Sequence, residues 1–355
     1  MKLKFYSNKG NYLTEQRYHL NTPAKAFWNE RSQQERREVY GNWVDLFEYE
    51  AEINKTDMCL LTFQWSYYVQ HDRVPEAEEE VRAARKAGKP MVVFSGGDYP
   101  ARMPFEGVIL FESAGYFSDL GYRYHSAIPT FLSDYLEEYC GGQLQLREKQ
   151  AQPVVGFCGQ ASTSISQDAW RSLRRLQRDL QYRLGFSKLE PPPFETTSFR
   201  KRVLRAFEKP GIQTNYIPRK QYQAGKAGGM SAQSQEKLDF VNNVLNSDYT
   251  LCMRGGGNYS VRFYETLNLG RIPVFIDTDC LLPFQDEIDY KSIFPWIDMK
   301  DLPHAADMLL EFHSKLSNED FRALQLTCRS LWLEHMTVDG FYRDFASRLK
   351  RMREL

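Results

Sequence analysis

Several familiar signals are missing from this sequence, and each absence removes a class of function. The 46 basic residues are balanced by 46 acidic ones, so the salt-dependent phosphate attraction of a general nucleic-acid binder has no source. Any anion site has to be local. No apolar run approaches the ~20 residues that span a bilayer. The opening MKLKFYSNKG passes from a strand-like pattern to a polar turn without the apolar stretch of a secretory signal. The expectation is a cytoplasmic chain with at most peripheral membrane contact. The six cysteines, Cys59, Cys140, Cys158, Cys252, Cys280 and Cys328, are scattered, and none forms a Cys-x-x-Cys or Cys/His cluster with metal-ligand spacing. They read as reduced, buried small hydrophobes. No His-Glu-x-x-His and no Gly-x-Ser-x-Gly occurs, which sets aside zinc and serine hydrolases. The glycine-rich segment 224–229 lacks P-loop spacing and is expected to be a loop near a cleft, with Lys226 as a candidate to close over phosphates.

What is present is ordinary globular material, 42% hydrophobic and 26% charged over 355 residues, a length that suits two domains. Aromatics at 14% fill a core first and offer sugar-stacking surfaces second. Short β-branched or aromatic runs at 2–6, 58–63, 91–95 and 108–112 are bounded by turn residues and predict strands. Between the second and third, residues 75–88 open with Pro75, pass from acidic to basic and end on Gly88, the polarity of a capped helix. After a helix ending at Tyr139, the polar stretch 140–152 reads as a linker. A second unit then starts with the apolar strand 154–159 and an arginine-rich amphipathic stretch, 168–184. Helices at 198–208 and 231–245, strands at 249–253 and 272–276, and a short helix at 261–269 follow. The tail from 318 onward is helical by pattern. Strands alternating with helices imply doubly wound, mostly parallel sheets. The fold class is therefore α/β, with two Rossmann-like lobes, 1–148 and 149–355, and an interdomain cleft.

The chemistry concentrates between residues 249 and 284. A strand ending at Met253 delivers Arg254 and the glycines Gly255, Gly256 and Gly257 to the carboxyl edge of a sheet, where open α/β sheets bind ligands and where glycine permits close backbone approach. Ser260 stands at an N-cap position, so the helix opening at Val261 aims its free N–H groups and positive dipole end at the same crevice. Arg254 and Arg262 can pair with phosphate oxygens in bidentate fashion. Glu265, about one turn beyond Arg262, is placed to accept hydrogen bonds from ribose hydroxyls. The plainer alternative is that Arg262 and Glu265 form an intrahelical ion pair and that the glycines only turn the chain. Asp277-Thr278-Asp279 spells a metal-holding Asp-x-Asp. It follows a strand in the second unit, though, and Asp279 reads better as an acceptor for a sugar hydroxyl.

These residues also resemble a family. Arg254-Gly255, Ser260, Arg262, Glu265, Leu267, Gly270, Ile272-Pro273-Val274, Asp279 and Leu282-Pro283-Phe284 are similar, in order and spacing, to the C-terminal signature of exostosin-type glycosyltransferases. Ile128-Pro129, the strand 154–159 and the basic helix start Phe199-Arg200-Lys201-Arg202 extend the likeness more weakly. The resemblance implies a GT-B fold, an acceptor-binding first lobe and a nucleotide-sugar-binding second lobe. It further implies an inverting transfer from a UDP-sugar to a glycan or lipid-linked acceptor of surface polysaccharide, with no cofactor and no obligatory metal. Glu265 matches the ribose-binding glutamate. Members often carry an Asp-His pair in the first lobe, and here Asp98 is kept while Tyr99 stands in place of the histidine. Inversion needs a base for the acceptor hydroxyl and positive groups for the departing diphosphate. Asp98 leads for the base, ahead of His19, Asp57, Glu112 and His125. Arg254 and Arg262, joined by Arg200 or Arg202, are the candidates for the diphosphate. Two other readings stay open: a nucleotide-sugar-binding partner protein that has lost its base, and a nucleotide-sugar epimerase.

Overall fold

Strands buried on both faces form the centre of each half of the molecule. The computed structural model describes residues 2–11, 14–99, 101–119, 121–161, 164–220 and 229–354. In the first half, β1 (Leu3–Tyr6), β2 (Phe47–Tyr49), β3 (Met58–Leu60), β4 (Met91–Ser95), β5 (Ile109–Glu112) and β6 (Tyr124–Ala127) form one sheet in the order β2-β1-β3-β4-β5-β6. Every pairing is parallel. The all-apolar run Met91-Val-Val-Phe94 is buried along its whole length, as a strand must be when helices cover both faces of a parallel sheet. The helix Val74–Lys86 crosses between β3 and β4. Pro75 and Glu76 lie in its first turn, Arg85 and Lys86 in its last, and Ala77, Val81 and Ala84 on its buried stripe. Gly88 ends the segment at a positive φ of 65°, a conformation glycine adopts without steric cost.

The second half repeats the plan. Here β7 (Val154–Gln160), β8 (Gln213–Arg219), β9 (Tyr249–Cys252), β10 (Ile272–Asp277) and β11 (Trp296–Asp298) order as β11-β10-β9-β7-β8, again all parallel. In both sheets the first strand lies between the second and the third. Each lobe therefore has a topological switch point, at β1/β3 and at β7/β9, and open α/β sheets bind ligands at the carboxyl end of such a point. Two mostly parallel Rossmann-like lobes meeting at a cleft are the GT-B arrangement that the resemblance implied.

The two sheets are separated by residues 140–153, which form no strand or helix, and each lobe has its own core. The last helix, Val338–Glu354, follows the second lobe in sequence yet packs into the first. Phe341, Tyr342, Phe345, Ala346 and Leu349 join that lobe's core, Tyr342 stacks on Trp43 at 4.1 Å, and Asp339 Oδ1 accepts from the Trp43 amide at 2.8 Å. The helical tail expected from residue 318 is two helices, Asn318–Leu331 and Val338–Glu354, with a π-helical turn between them.

Candidate functional site

Several segments of the second lobe converge on the β7/β9 switch point, and one loop of the first lobe closes it from above. Together they line a cleft of about 760 Å³. Arg254 leaves the end of β9 and is 3% exposed. Its Nη1 donates to Asn258 Oδ1 at 3.1 Å and its Nη2 to the Gly256 carbonyl at 3.4 Å, while Nε has no hydrogen-bond partner among the described residues. No carboxylate is ion-paired with it there. Burying a guanidinium without an ion-paired carboxylate is costly, and an anion in the cleft would offset that cost.

Arg200 is buried at the same edge and donates from Nη1 to the Gln160 carbonyl at 3.1 Å. Arg262 lies on Phe157, 4.7 Å from the ring centroid. It donates to the Cys158 carbonyl from Nε at 2.9 Å and from Nη2 at 2.5 Å. A Cβ on Gly159 would occupy the place of this guanidinium, so the close approach requires the glycine. The intrahelical ion pair considered for Arg262 and Glu265 does not form. Glu265 Oε1 instead accepts from Lys237 Nζ at 2.9 Å and from the Tyr135 hydroxyl at 3.2 Å. Burial, and then the charge of Glu265, push the Tyr135 phenol well above its ordinary value, which keeps it a donor.

Ser260 caps the helix Val261–Asn268 by position but makes no side-chain capping bond. Its buried Oγ has no hydrogen-bond partner among the described residues. Gly255, Gly256, Val261 and Glu265 line the same cleft as Ser260. Gly257 must be glycine, because an added Cβ would sit 2.5 Å from the Asp98 carbonyl. That contact brings the first lobe's loop onto the second lobe's. Asp98 is exposed to the cleft and accepts from the Tyr259 hydroxyl at 2.7 Å. Tyr99, in the place of the family's histidine, accepts at its hydroxyl from Arg178 Nη1 at 3.3 Å.

Two expected residues are elsewhere. Arg202 is exposed and opens on a different groove, with Arg175, Leu176 and Phe199, because two residues along a helix means a rotation of about 200°. Asp279 is turned away from the cleft. Its backbone is left-handed, at φ 62°, and its carboxylate accepts from the amide and hydroxyl of Ser118 in the first lobe. It therefore serves as a tie between the lobes instead of an acceptor beside the sugar. Asp277 Oδ1 accepts from the Cys280 amide at 2.9 Å, and burial raises its pKa, so the Asp-x-Asp spelling forms a turn. Among the described residues no group of three His, Cys, Asp or Glu has metal-holding geometry.

The other base candidates stand apart from this cleft. His19 stacks on Tyr67 at 4.4 Å. Asp57 accepts from the Lys4 amide at 2.8 Å just before β3 begins, at the edge of the sheet opposite the cleft. Glu112 Oε1 bonds His125 Nε2 at 2.6 Å, with both side chains nearly buried. Lys226 lies outside the described residues.

Four site residues escaped the sequence reading: Asn258, Tyr259, Lys237 and Tyr135. Asn258 is fully buried. Its Nδ2 donates to the carbonyls of Gly115 and Asp279, and its Oδ1 accepts from Arg254 and from Thr278 Oγ1 at 2.7 Å. It fixes Arg254 to the junction of the lobes. A large amide directly after three glycines was the available signal. Lys237 and Tyr135 are far away in sequence and carried none.

With this geometry in view, residues 161–312 match the exostosin GT47 domain. Similar proteins include Exostosin-1 of Drosophila melanogaster, 31% identical over 97 residues, and the probable beta-1,4-xylosyltransferase IRX10L of Arabidopsis thaliana, 38% identical over 76 residues. These matches cover 27% and 21% of this chain and 12% and 18% of the two relatives. Among solved structures, an alpha,alpha-trehalose-phosphate synthase from Burkholderia xenovorans overlays at a TM-score of 0.38 and 10% identity, covering 92% of this chain and 80% of its own. A mutant of S. aureus TarM, crystallised with Fondaparinux, alpha-GlcNAc-glycerol and UDP, overlays at 0.37 and 7% identity, covering 82% and 55%. Both overlays are loose.

Proposed function

We propose that the chain is an inverting glycosyltransferase that takes a UDP-sugar in the β7/β9 crevice and passes the sugar to a glycan or lipid-linked acceptor for surface polysaccharide, in the cytoplasm and without an obligatory metal. The observation that carries this reading is Arg254, a buried cation whose hydrogen bonds go to an amide oxygen and a carbonyl and whose Nε is unsatisfied. Beside it stands the unpartnered Ser260 hydroxyl at a helix N-terminus. Three arginines and a helix dipole would hold the diphosphate and stabilise the charge that develops on it as the glycosidic bond breaks. Glu265 keeps Oε2 for the ribose, since both of its bonds fall on Oε1. Asp98, held by Tyr259 across the cleft, takes the proton of the attacking acceptor hydroxyl. Tyr99 in place of a histidine favours a second reading, a nucleotide-sugar-binding protein without turnover.

The test is thermal stabilisation by UDP, GDP, CMP and ADP of the unmodified chain and of Glu265→Ala. A ligand at about 100 times its Kd adds about 2.7 kcal/mol. A shift with UDP that Glu265→Ala removes supports the donor site. No shift with any of the four overturns it, and a shift without transfer to any acceptor favours the second reading.

A further inference from the structure

The helix Ile165–Arg183 is folded inside out. Trp170, Leu173, Leu176, Leu180 and Leu184 recur every three or four residues, the spacing that places side chains on one face of a helix. Such a stripe ordinarily turns to the core, yet here all five are exposed, Leu173 at 66%, and Phe186 just beyond is 82% exposed. The half-buried positions are instead the polar ones: Asp168, Arg171, Ser172, Arg175, Asp179 and Tyr182. At about 100° per residue the two stripes lie on roughly opposite sides of the helix. The inward side is fixed by named bonds. Arg171 Nη1 donates to Thr197 Oγ1 at 2.6 Å, Arg175 Nη1 to the Pro193 carbonyl at 3.1 Å, and Lys201 Nζ pairs with Asp168 at 2.6 Å. The helix is thus held to the second lobe by its polar face, and its apolar face is left without a partner among the described residues.

The charges that border that face are arginines, one of which, Arg183, is paired with Asp179 at 2.9 Å. Arg174 and Arg178 border one long edge of the stripe and Arg183 the other, all exposed. Arg174 lies over the Trp170 ring at 4.1 Å from its centroid. The helix has five arginines against two aspartates, in a chain whose charges cancel overall, and both aspartates are on the inward side. We infer that this face docks on an anionic lipid surface, with the leucines and Trp170 in the headgroup–acyl boundary and the flanking arginines on the lipid phosphates. A strongly amphipathic helix with a basic polar face, Trp, Phe and Leu opposite, and low overall hydrophobicity is what lies in a membrane interface. No described helix is long and apolar enough to cross the membrane. A second copy of the chain fits poorly, because stripes laid face to face would set arginine against arginine. Arg171 and Arg178 of the same helix also line the cleft, so a lipid surface under the stripe would lie about one helix diameter, ~10 Å, from the cleft wall.

The experiment is flotation of the full chain with vesicles of phosphatidylcholine alone and of phosphatidylcholine with phosphatidylglycerol. The unmodified chain is expected to float with the anionic vesicles and at least tenfold less with the neutral ones. Leu173→Gln, Leu176→Gln and Leu180→Gln combined should abolish flotation. Arg174→Gln with Arg183→Gln should remove the anionic preference. All of these side chains are exposed, and circular dichroism checks the fold of each variant. Independently, a polarity-sensitive dye on Leu173→Cys should shift to the blue with anionic vesicles. Failure of the unmodified chain to float at low salt overturns the inference, as does equal flotation of the triple leucine variant. A dimer that the triple variant converts to a monomer would likewise overturn it, by assigning the face to a second copy.

Discussion

The two lobes share a strand order and differ in what fills their switch points. In the first lobe the crevice beyond β1 and β3 is closed by its own polar groups. Glu80, buried on the helix Val74–Lys86, accepts from the Thr62 amide at 3.0 Å, the Thr62 hydroxyl at 2.8 Å and the Tyr68 hydroxyl at 2.8 Å. Asn21 bonds the carbonyls of Leu61 and Phe63 alongside. In the second lobe the equivalent crevice holds a buried guanidinium whose Nε, and a buried hydroxyl whose oxygen, have no hydrogen-bond partner among the described residues. A buried polar group is stable only when satisfied. The first crevice leaves Asn21 Oδ1 without a partner among the described residues, but its buried charge, Glu80, is satisfied from within, and it is structural. The second, on the function proposed above, is left for a ligand to satisfy. Topology supplies both places; local side chains decide which is a site.

The largest test of this contrast is Arg254→Gln. Diphosphate stabilisation should vanish and transfer should fall about 10³-fold, the scale of losing one charge-stabilising group, while the melting temperature without nucleotide holds or rises, since an uncompensated buried cation has gone. A large fall in that temperature would make Arg254 structural and break the comparison. Next is Asp98→Asn, which should lower kcat by about 10²-fold or more and leave the UDP-induced thermal shift intact. Unchanged transfer would move the base elsewhere and leave the donor site standing.

Glu80→Gln probes the closed crevice. It should cost about 2–3 kcal/mol in denaturant unfolding by opposing an amide donor to the Thr62 N–H, without altering the nucleotide shift at saturating ligand. The smallest effect concerns Glu190 near the cleft. Its carboxyl is raised, first by burial and then by the charge of Asp119, with Arg254 pulling the other way. A raised acid binds its proton more tightly in the folded state, so its contribution is present below the unfolded carboxylate range and is lost as pH rises through the folded pKa. Glu190→Gln should therefore raise the melting temperature at pH 7 and give a smaller gain near pH 4.

What the sequence made legible follows the same logic of burial. Among the described residues all seven interior strands, β1, β3, β4, β5, β7, β9 and β10, were marked by their apolar runs. The four edge strands, β2, β6, β8 and β11, were not. An interior strand covered on both faces reads as apolar, and β1, with the partly exposed Lys4, is the one of the seven that alternates. An edge strand such as Gln213–Arg219, largely exposed and carrying Pro218, is held by the backbone pairing of one neighbour, which side chains need not announce.

The candidate site divides in the same way. Arg254 to Glu265 could be read directly, because strand, glycine turn and helix are contiguous and their spacing alone fixes which groups share an edge. Tertiary structure alone decided that Lys237 and Tyr135 meet Glu265, that Arg262 is held by the Cys158 carbonyl, and that Asp279 ties the lobes together. Each of these rests on the direction of a side chain toward a segment distant in sequence, and no local pattern encodes that direction. The amphipathic helix is the sharpest case: its period was plain in the sequence, but only the packed lobe determined that the apolar face points outward.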